Sequence, residues 1–163
     1  MIKVTINSIN NDEEKVLCFP MDEAELDEIL ESLEIEGVDD TDSYEVVDVV
    51  TEFCESDDYA LENLSLDELI DLADEVESLD GRAFSHVEAY MEAICDNLEQ
   101  AINEYECFEF YEDYSLEDVA REVYESDVYN LPDAVLWAID WEEVGSNLES
   151  EGHYETAYGV LEG

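Results

Sequence analysis

The chain has 163 residues, with 50 Asp and Glu against 4 Lys and Arg, a formal net charge of -46 at neutral pH. Acidity on this scale goes with disorder when apolar residues are few; here hydrophobic residues make up 46% and recur periodically, which excludes a disordered polyanion, and 2 Pro and 6 Gly are too few for a low-complexity linker. The longest apolar run, Ala134 to Ile139, is too short to span a bilayer, and anionic lipid would repel so acidic a surface, so no membrane association is expected.

Met1 to Ile6 alternates like a strand rather than reading as a secretory signal, which points to a cytoplasmic protein. Ile2, Val4 and Ile6 share one face, Asn10-Asn11-Asp12 turn the chain, and Lys15 to Phe19 form the hairpin partner, stopped by Pro20. Leu26, Ile29, Leu30 and Leu33 then fall at helical spacing behind Asp22 as N-cap with Glu25 at N3, and Gly37 is expected to close the helix. Tyr44 to Val50 reads as a third strand, which gives a small α/β domain over residues 1–60.

Residues 61–103 read as a helical domain. Ser65 and Glu68 form a capping box ahead of Leu66, Leu69, Ile70, Ala73, Val76 and Leu79, with Gly81 as the closing glycine. Ser85 and Glu88 repeat the signal before Val87 and Met91, and Asn97 with Gln100 opens a short further helix. Residues 104–163 return to an α/β pattern: a strand over Glu106 to Tyr111, a helix capped by Ser115 and Asp118, a helical stretch led by Pro132, and a closing strand over Tyr154 to Leu161. The predicted class is α+β, an elongated chain of three small subdomains (α/β, helical, α/β) with a highly acidic surface. Elongation follows from charge: 46 charges match roughly 78 Å of duplex at one per roughly 1.7 Å, while a compact chain of this length is about 40 Å across.

The helical spacing also places the carboxylates. Glu23, Asp27, Glu31 and Glu34 follow one another along the first helix away from its apolar stripe. Asp67, Asp71, Asp74 and Glu75 do so on the second, and Glu117, Asp118, Glu122 and Glu125 continue the pattern before Asp127. Neighbours three and four apart repel and destabilise an isolated helix, and no cationic partner is expected, since no Lys or Arg lies between Lys15 and Arg82 or after Arg121. Such ladders present to a DNA-binding groove the field of a phosphate backbone without its base edges, so they compete for the sequence-independent part of binding. Halophilic adaptation also produces acidic surfaces, but the excess here is extreme and the core is rich in Tyr, Leu and Ile.

Catalytic and metal readings find little support. No GxSxG, HExxH, P-loop or dinucleotide-binding glycine pattern occurs; His86, behind a cap serine, and His153, in a Gly-flanked turn, read as structural or exposed. Asp39-Asp40-Thr41-Asp42 lacks the central Gly and terminal Glu of an EF-hand loop. No catalytic residue, metal or cofactor is therefore assigned, and the protein is not expected to be an enzyme. Cys18, Cys54, Cys95 and Cys107 show no CxxC spacing and are expected to be reduced, buried thiols. Tyr124, Tyr129, Trp137 and Trp141 supply either core or a self-association surface.

With these residues in view, the chain resembles the ArdA family of antirestriction proteins, carried by mobile genetic elements and phages. The resemblance is weak over the whole chain and clearest from Leu64 to Leu148. It rests on Asn63-Leu64-Ser65-Leu66-Asp67-Glu68-Leu69, on Leu98-Glu99-Gln100-Ala101-Ile102, and on Leu131-Pro132 followed by Ala138-Ile139-Asp140-Trp141-Glu142-Glu143-Val144-Gly145. Ser146 and Asn147 stand where that family commonly has Arg and Asp, and Ala138 where an aromatic residue is usual. The resemblance implies three small domains in a curved chain, paired into a homodimer through the C-terminal domain, with Leu131, Pro132, Val135, Leu136, Trp137, Ile139, Trp141 and Val144 as interface candidates. It also implies a DNA mimic in the cytoplasm of a bacterial host, binding the DNA groove of type I restriction-modification enzymes and inhibiting them without binding nucleic acid itself. The alternative is an acidic binding module or chaperone for another basic DNA-binding protein.

Overall fold

The computed structural model describes residues 1–53, 61–125 and 131–163, so Cys54, Asp127 and Tyr129 lie outside the described residues. The fold is mixed α+β and divides into two compact units, Met1–Asp80 with Asp96–Glu99, and Gly81–Cys95 with Gln100–Gly163; the stretch 61–103 is shared between them. Among the described residues no helix is long and apolar enough to cross a membrane.

In the first unit β1 (Ile2–Ser8) is the central strand of an antiparallel sheet, between β2 (Glu14–Phe19) and β3 (Tyr44–Thr51). Strand periodicity puts alternate side chains on opposite faces. Ile2 opposite Phe19, and Val4 opposite Leu17 and Val49, are therefore all buried on one face. The other face carries Lys3 between Cys18 and Val50, and Thr5 beside Val16; Val16 and Val50 are exposed. This register explains why Cys18 is exposed rather than buried as expected. Cys107 is exposed too and Cys95 half-buried.

The helix α1 (Glu23–Ser32) starts at Asp22, whose side chain accepts from the Ala24 amide at 2.9 Å; the reciprocal bond expected from Glu25 is not formed. Its buried stripe is Leu26, Leu30 and, at the cap, Leu33. Glu34, not Gly37, closes it. Glu34 sits in the left-handed region at φ 60, the Ile35 amide donates to the Leu30 carbonyl at 2.9 Å and the Glu34 amide to the Glu31 carbonyl at 3.1 Å, the paired bonds of a Schellman motif. Buried Ser8 donates to the Leu33 carbonyl at 2.7 Å and Asn10 to the Glu34 carbonyl at 2.7 Å, so the last turn is tied to the end of β1. A side chain in that conformation, with a negative charge at a helix C-terminus, costs stability. Glu34→Gly should therefore raise the stability of this unit by about 1 kcal/mol in chemical denaturation; an unchanged or lower midpoint would show that Glu34 makes a compensating contact.

The second helix, α2 (Leu66–Ser78), begins with the predicted capping box: the Glu68 amide donates to Ser65 Oγ, and Glu68 Oε2 accepts from the Ser65 amide at 2.8 Å. The Ser65 amide and hydroxyl both donate to the Glu68 carboxylate and hold its pKa below the usual carboxylate value. Leu66, Leu69, Leu72, Ala73 and Val76 are buried, whereas Ile70, expected in the core, is only half-buried. Gly81 does not close α2. It opens α3 (Gly81–Ala93), and Ser85, expected as its cap, lies inside the helix with its hydroxyl donating to the Gly81 carbonyl at 3.2 Å. A serine satisfied by the preceding turn needs no end to sit at. The short helix α4 (Leu98–Glu104) follows.

The second unit holds the antiparallel sheet β4–β6–β5, from β4 (Glu109–Glu112), β5 (His153–Thr156) and β6 (Gly159–Glu162). The strand expected over Glu106 to Tyr111 begins only at Glu109, after a 3-10 turn at Tyr105–Cys107, and the single closing strand is a hairpin. Helix α5 (Leu116–Glu125) is entered through a reciprocal Ser115–Asp118 box, in which the Ser115 amide donates to Asp118 at 3.1 Å and the Asp118 amide to Ser115 Oγ at 3.2 Å. Past Pro132, α6 (Asp133–Leu136) makes a single turn, and Asp140 then caps α7 (Trp141–Leu148), accepting from the Glu143 amide at 3.2 Å. The core joins Leu116, Val119 and Ala120 of α5 to Trp141 and Leu148 of α7 and Val160 of β6. The two helices come this close because residue 145 is glycine: a Cβ there would lie 2.9 Å from the Glu117 amide nitrogen.

Both histidines lie in this unit. His153 is buried at the start of β5 rather than exposed in a turn, its Nε2 3.5 Å from Glu162 Oε2. His86 stacks on Phe110 at 4.8 Å and meets the edge of Tyr105 at 5.0 Å, and its enclosed Nε2 has no partner among the described residues. Burial, with Arg82 nearby, pushes its pKa below the ordinary 6.5, against a smaller upward pull from Glu106. The unfolded chain thus binds this proton more readily than the folded one, so stability rises with pH through this window and is lost as pH falls below about 6.5. A His86→Phe variant, which keeps the stacking, should lose less stability than the parent between pH 7 and 5.5; parallel curves would contradict a buried neutral imidazole.

Candidate functional site

Helix formation at the predicted positions puts the carboxylate ladders on the surface. Glu23, Asp27 and Glu31 are exposed one turn apart along α1, and Asp67, Asp71, Asp74 and Glu75 are exposed along α2; both helices belong to the first unit. Glu34 is exposed but has left the ladder, because the backbone turns at its positive φ. Asp118, Glu122 and Glu125 are exposed on α5 in the second unit. Glu117 is different. It is half-buried and accepts from both Arg121 Nε and Nη2, the one ion pair that a lysine or arginine makes among the described residues, so the expectation that the ladders find no internal cation fails here. Arg82 instead donates to the Phe110 carbonyl at 3.1 Å.

The first unit brings the two ladders to one feature. A groove of about 460 Å³ is lined by Glu23 and Asp27 of α1, Asp74 of α2 and Asp39 of the connecting loop. Apolar residues line it too: Phe19, Met21, Leu26, Val38 and Ile70. Buried Tyr44 holds the loop in place: its hydroxyl donates to the Val38 carbonyl at 2.8 Å and accepts from the Leu66 amide, the first donor of α2, at 3.1 Å. Burial raises the Tyr44 pKa, and the nearby Asp67, Glu68 and Asp39 charges add to it, so this hydroxyl keeps its proton. Phe19, Val38, Asp39 and Ile70 escaped sequence reasoning as site residues. The sequence offers no hint of them, since Ile70 reads as part of the apolar stripe of α2.

The dimer-interface candidates separate into core and surface. Trp141 is a core residue, with the Arg121 guanidinium over its ring at 5.6 Å, and Leu136, Ile139 and Val144 pack partly buried against the same core. Trp137 is 89% exposed and Val135 45%, a large apolar surface for one short turn, with Pro132 exposed and Leu131 half-buried before it. Trp137 flanks a hollow of about 540 Å³ that also takes in Arg121, Glu125 and Asp133.

Among the described residues no group of three or more His, Cys, Asp and Glu is placed to hold a metal ion. Tyrosine hydroxyls use up several carboxylates of the second unit: Tyr90 donates to Glu104 at 2.8 Å and, by burial first and this bond second, is pushed up to about 12, while Tyr111 donates to Glu162 at 2.9 Å. No protein-family model matches the chain, and no curated protein matches it.

Proposed function

We propose that this protein is a DNA mimic: a non-catalytic, cytoplasmic antirestriction protein of the ArdA kind, which occupies the DNA-binding groove of a type I restriction-modification enzyme. The observation that carries this reading is the pair of exposed carboxylate ladders on α1 and α2, seven side chains that face solvent at helical spacing with no lysine or arginine paired to them. A solvated acidic face explains any one such helix. It does not explain a chain in which like-charge repulsion accumulates at -46 with four cationic side chains to offset it. A basic groove evolved to take phosphates offers these anions the counter-charge that the chain lacks, with steered association and strong salt dependence.

In this reading the chain is an elongated series of small acidic subdomains, and the exposed Trp137 and Val135 seat a second copy to form a homodimer. An exposed tryptophan of this kind is a common anchor of such contacts. The test is an inhibition assay: increasing amounts of the protein are added to a type I enzyme acting on its DNA, at several concentrations of that DNA. Inhibition of both cleavage and methylation that excess duplex relieves is the expected result. Inhibition unaffected by duplex concentration, or binding to a basic DNA-binding protein at a site DNA leaves free, would overturn the mimic reading in favour of an acidic chaperone.

A further inference from the structure

We propose that the groove between α1 and α2 is a docking site for an arginine side chain projecting from the partner's DNA-binding cleft, an inference that rests on the mimic reading. Three features of the groove select this occupant. Its apolar lining of Phe19, Leu26, Val38 and Ile70 suits the methylene stem of a long basic side chain, which packs on apolar surface while its charged head stays with polar groups. Glu23 and Asp27 of α1 and Asp74 of α2 line the same groove, so a cationic head finds carboxylates from two helices, and no lysine or arginine lines it. Its loop is held by the Tyr44 hydroxyl between Val38 and Leu66, so the shape exists before the partner arrives.

Arginine fits better than lysine because the guanidinium is more weakly hydrated and forks across carboxylates, whereas an ammonium is a compact, strongly hydrated point charge. A phosphate backbone has no apolar lining. The groove therefore adds to the mimic an apolar contact that DNA lacks. It gives the protein a means of competing with DNA for a cleft lined with arginines without exceeding DNA's charge density.

The experiment titrates the intact chain with acetyl-Gly-Arg-Gly-amide, its lysine counterpart and its citrulline counterpart, reading amide and methyl shifts by NMR. The arginine peptide should move Leu26, Val38 and Ile70 signals, the lysine peptide should bind several-fold more weakly, and the citrulline peptide should leave them unmoved. Ile70→Gln, which alters no charge, should weaken arginine binding about fivefold, and Asp27→Asn with Asp74→Asn by a similar factor. Glu14→Gln with Glu45→Gln, the same charge change on the sheet, should not alter it. Val38→Thr gives a second, near-isosteric change to the apolar lining should Ile70→Gln disturb the fold. Equal, diffuse shifts with arginine and lysine peptides, or lining variants that bind like the parent, would overturn the groove assignment while leaving DNA competition by the ladders intact; parent protein that binds the arginine peptide in the groove but never displaces DNA would sink the mimic reading instead.

Discussion

Converting Asp27, Glu31, Asp71, Asp74 and Glu75 together to their amides should make the protein more stable and a weaker inhibitor. These residues sit in the interiors of α1 and α2, where Glu23–Asp27, Asp27–Glu31, Asp67–Asp71, Asp71–Asp74 and Asp71–Glu75 are like-charge neighbours three or four apart. Each such pair costs about 0.2–0.5 kcal/mol, so removing all five should stabilise the first unit by about 1–2.5 kcal/mol in chemical denaturation. Glu23 and Asp67 are left in place because a carboxylate in a first turn favours the helix. If the same five carboxylates contact a basic groove at about 0.2–1 kcal/mol each, binding should fall by about a hundredfold. Opposite signs separate the readings: a solvated face would gain the stability and lose no inhibition.

The largest structural effect is expected from Gly159→Ala. Gly159 begins β6 at φ 144, a conformation that L side chains rarely adopt, and a Cβ there would lie 2.3 Å from the Tyr111 carbonyl oxygen of the neighbouring strand β4. That oxygen belongs to the backbone, not to a flexible side chain that can move aside. The substitution should cost more than about 3 kcal/mol, enough to unfold the second unit at room temperature, visible as loss of the near-UV signal of core Trp141. Retention of that signal with an unchanged denaturation midpoint would show that β4 and β6 can separate at little cost.

Alternation and caps were the features most legible in the sequence, because both are local. The β1–β2 register follows from Ile2, Val4 and Ile6 facing Leu17 and Phe19, and the Ser65–Glu68 and Ser115–Asp118 boxes mark α2 and α5 at the predicted residues. Glycines misled where their role depended on context: Gly37 and Gly81 looked like helix stops, while the left-handed position fell to Glu34. Ser85 looked like a cap because a serine bonded to the preceding turn has the same spacing from its glutamate. The ladders on α1 and α2 were readable from helical period alone. The groove was not, since it depends on Tyr44 holding Val38 against α2 across 22 residues of chain, and on Ile70 being turned out of the core. The Glu117–Arg121 pair falls at i, i+4, the spacing at which the sequence alone allows it, within a ladder whose other described members have no lysine or arginine partner.

Equilibrium competition bears most directly on the claim that these carboxylates take the place of phosphates. A labelled duplex held by a type I restriction-modification enzyme is titrated with the protein at a series of salt concentrations. The account predicts one-for-one displacement of the duplex, with the logarithm of the apparent affinity falling linearly as the logarithm of salt concentration rises. A stable ternary assembly of enzyme, duplex and inhibitor, or an affinity indifferent to salt, would contradict it.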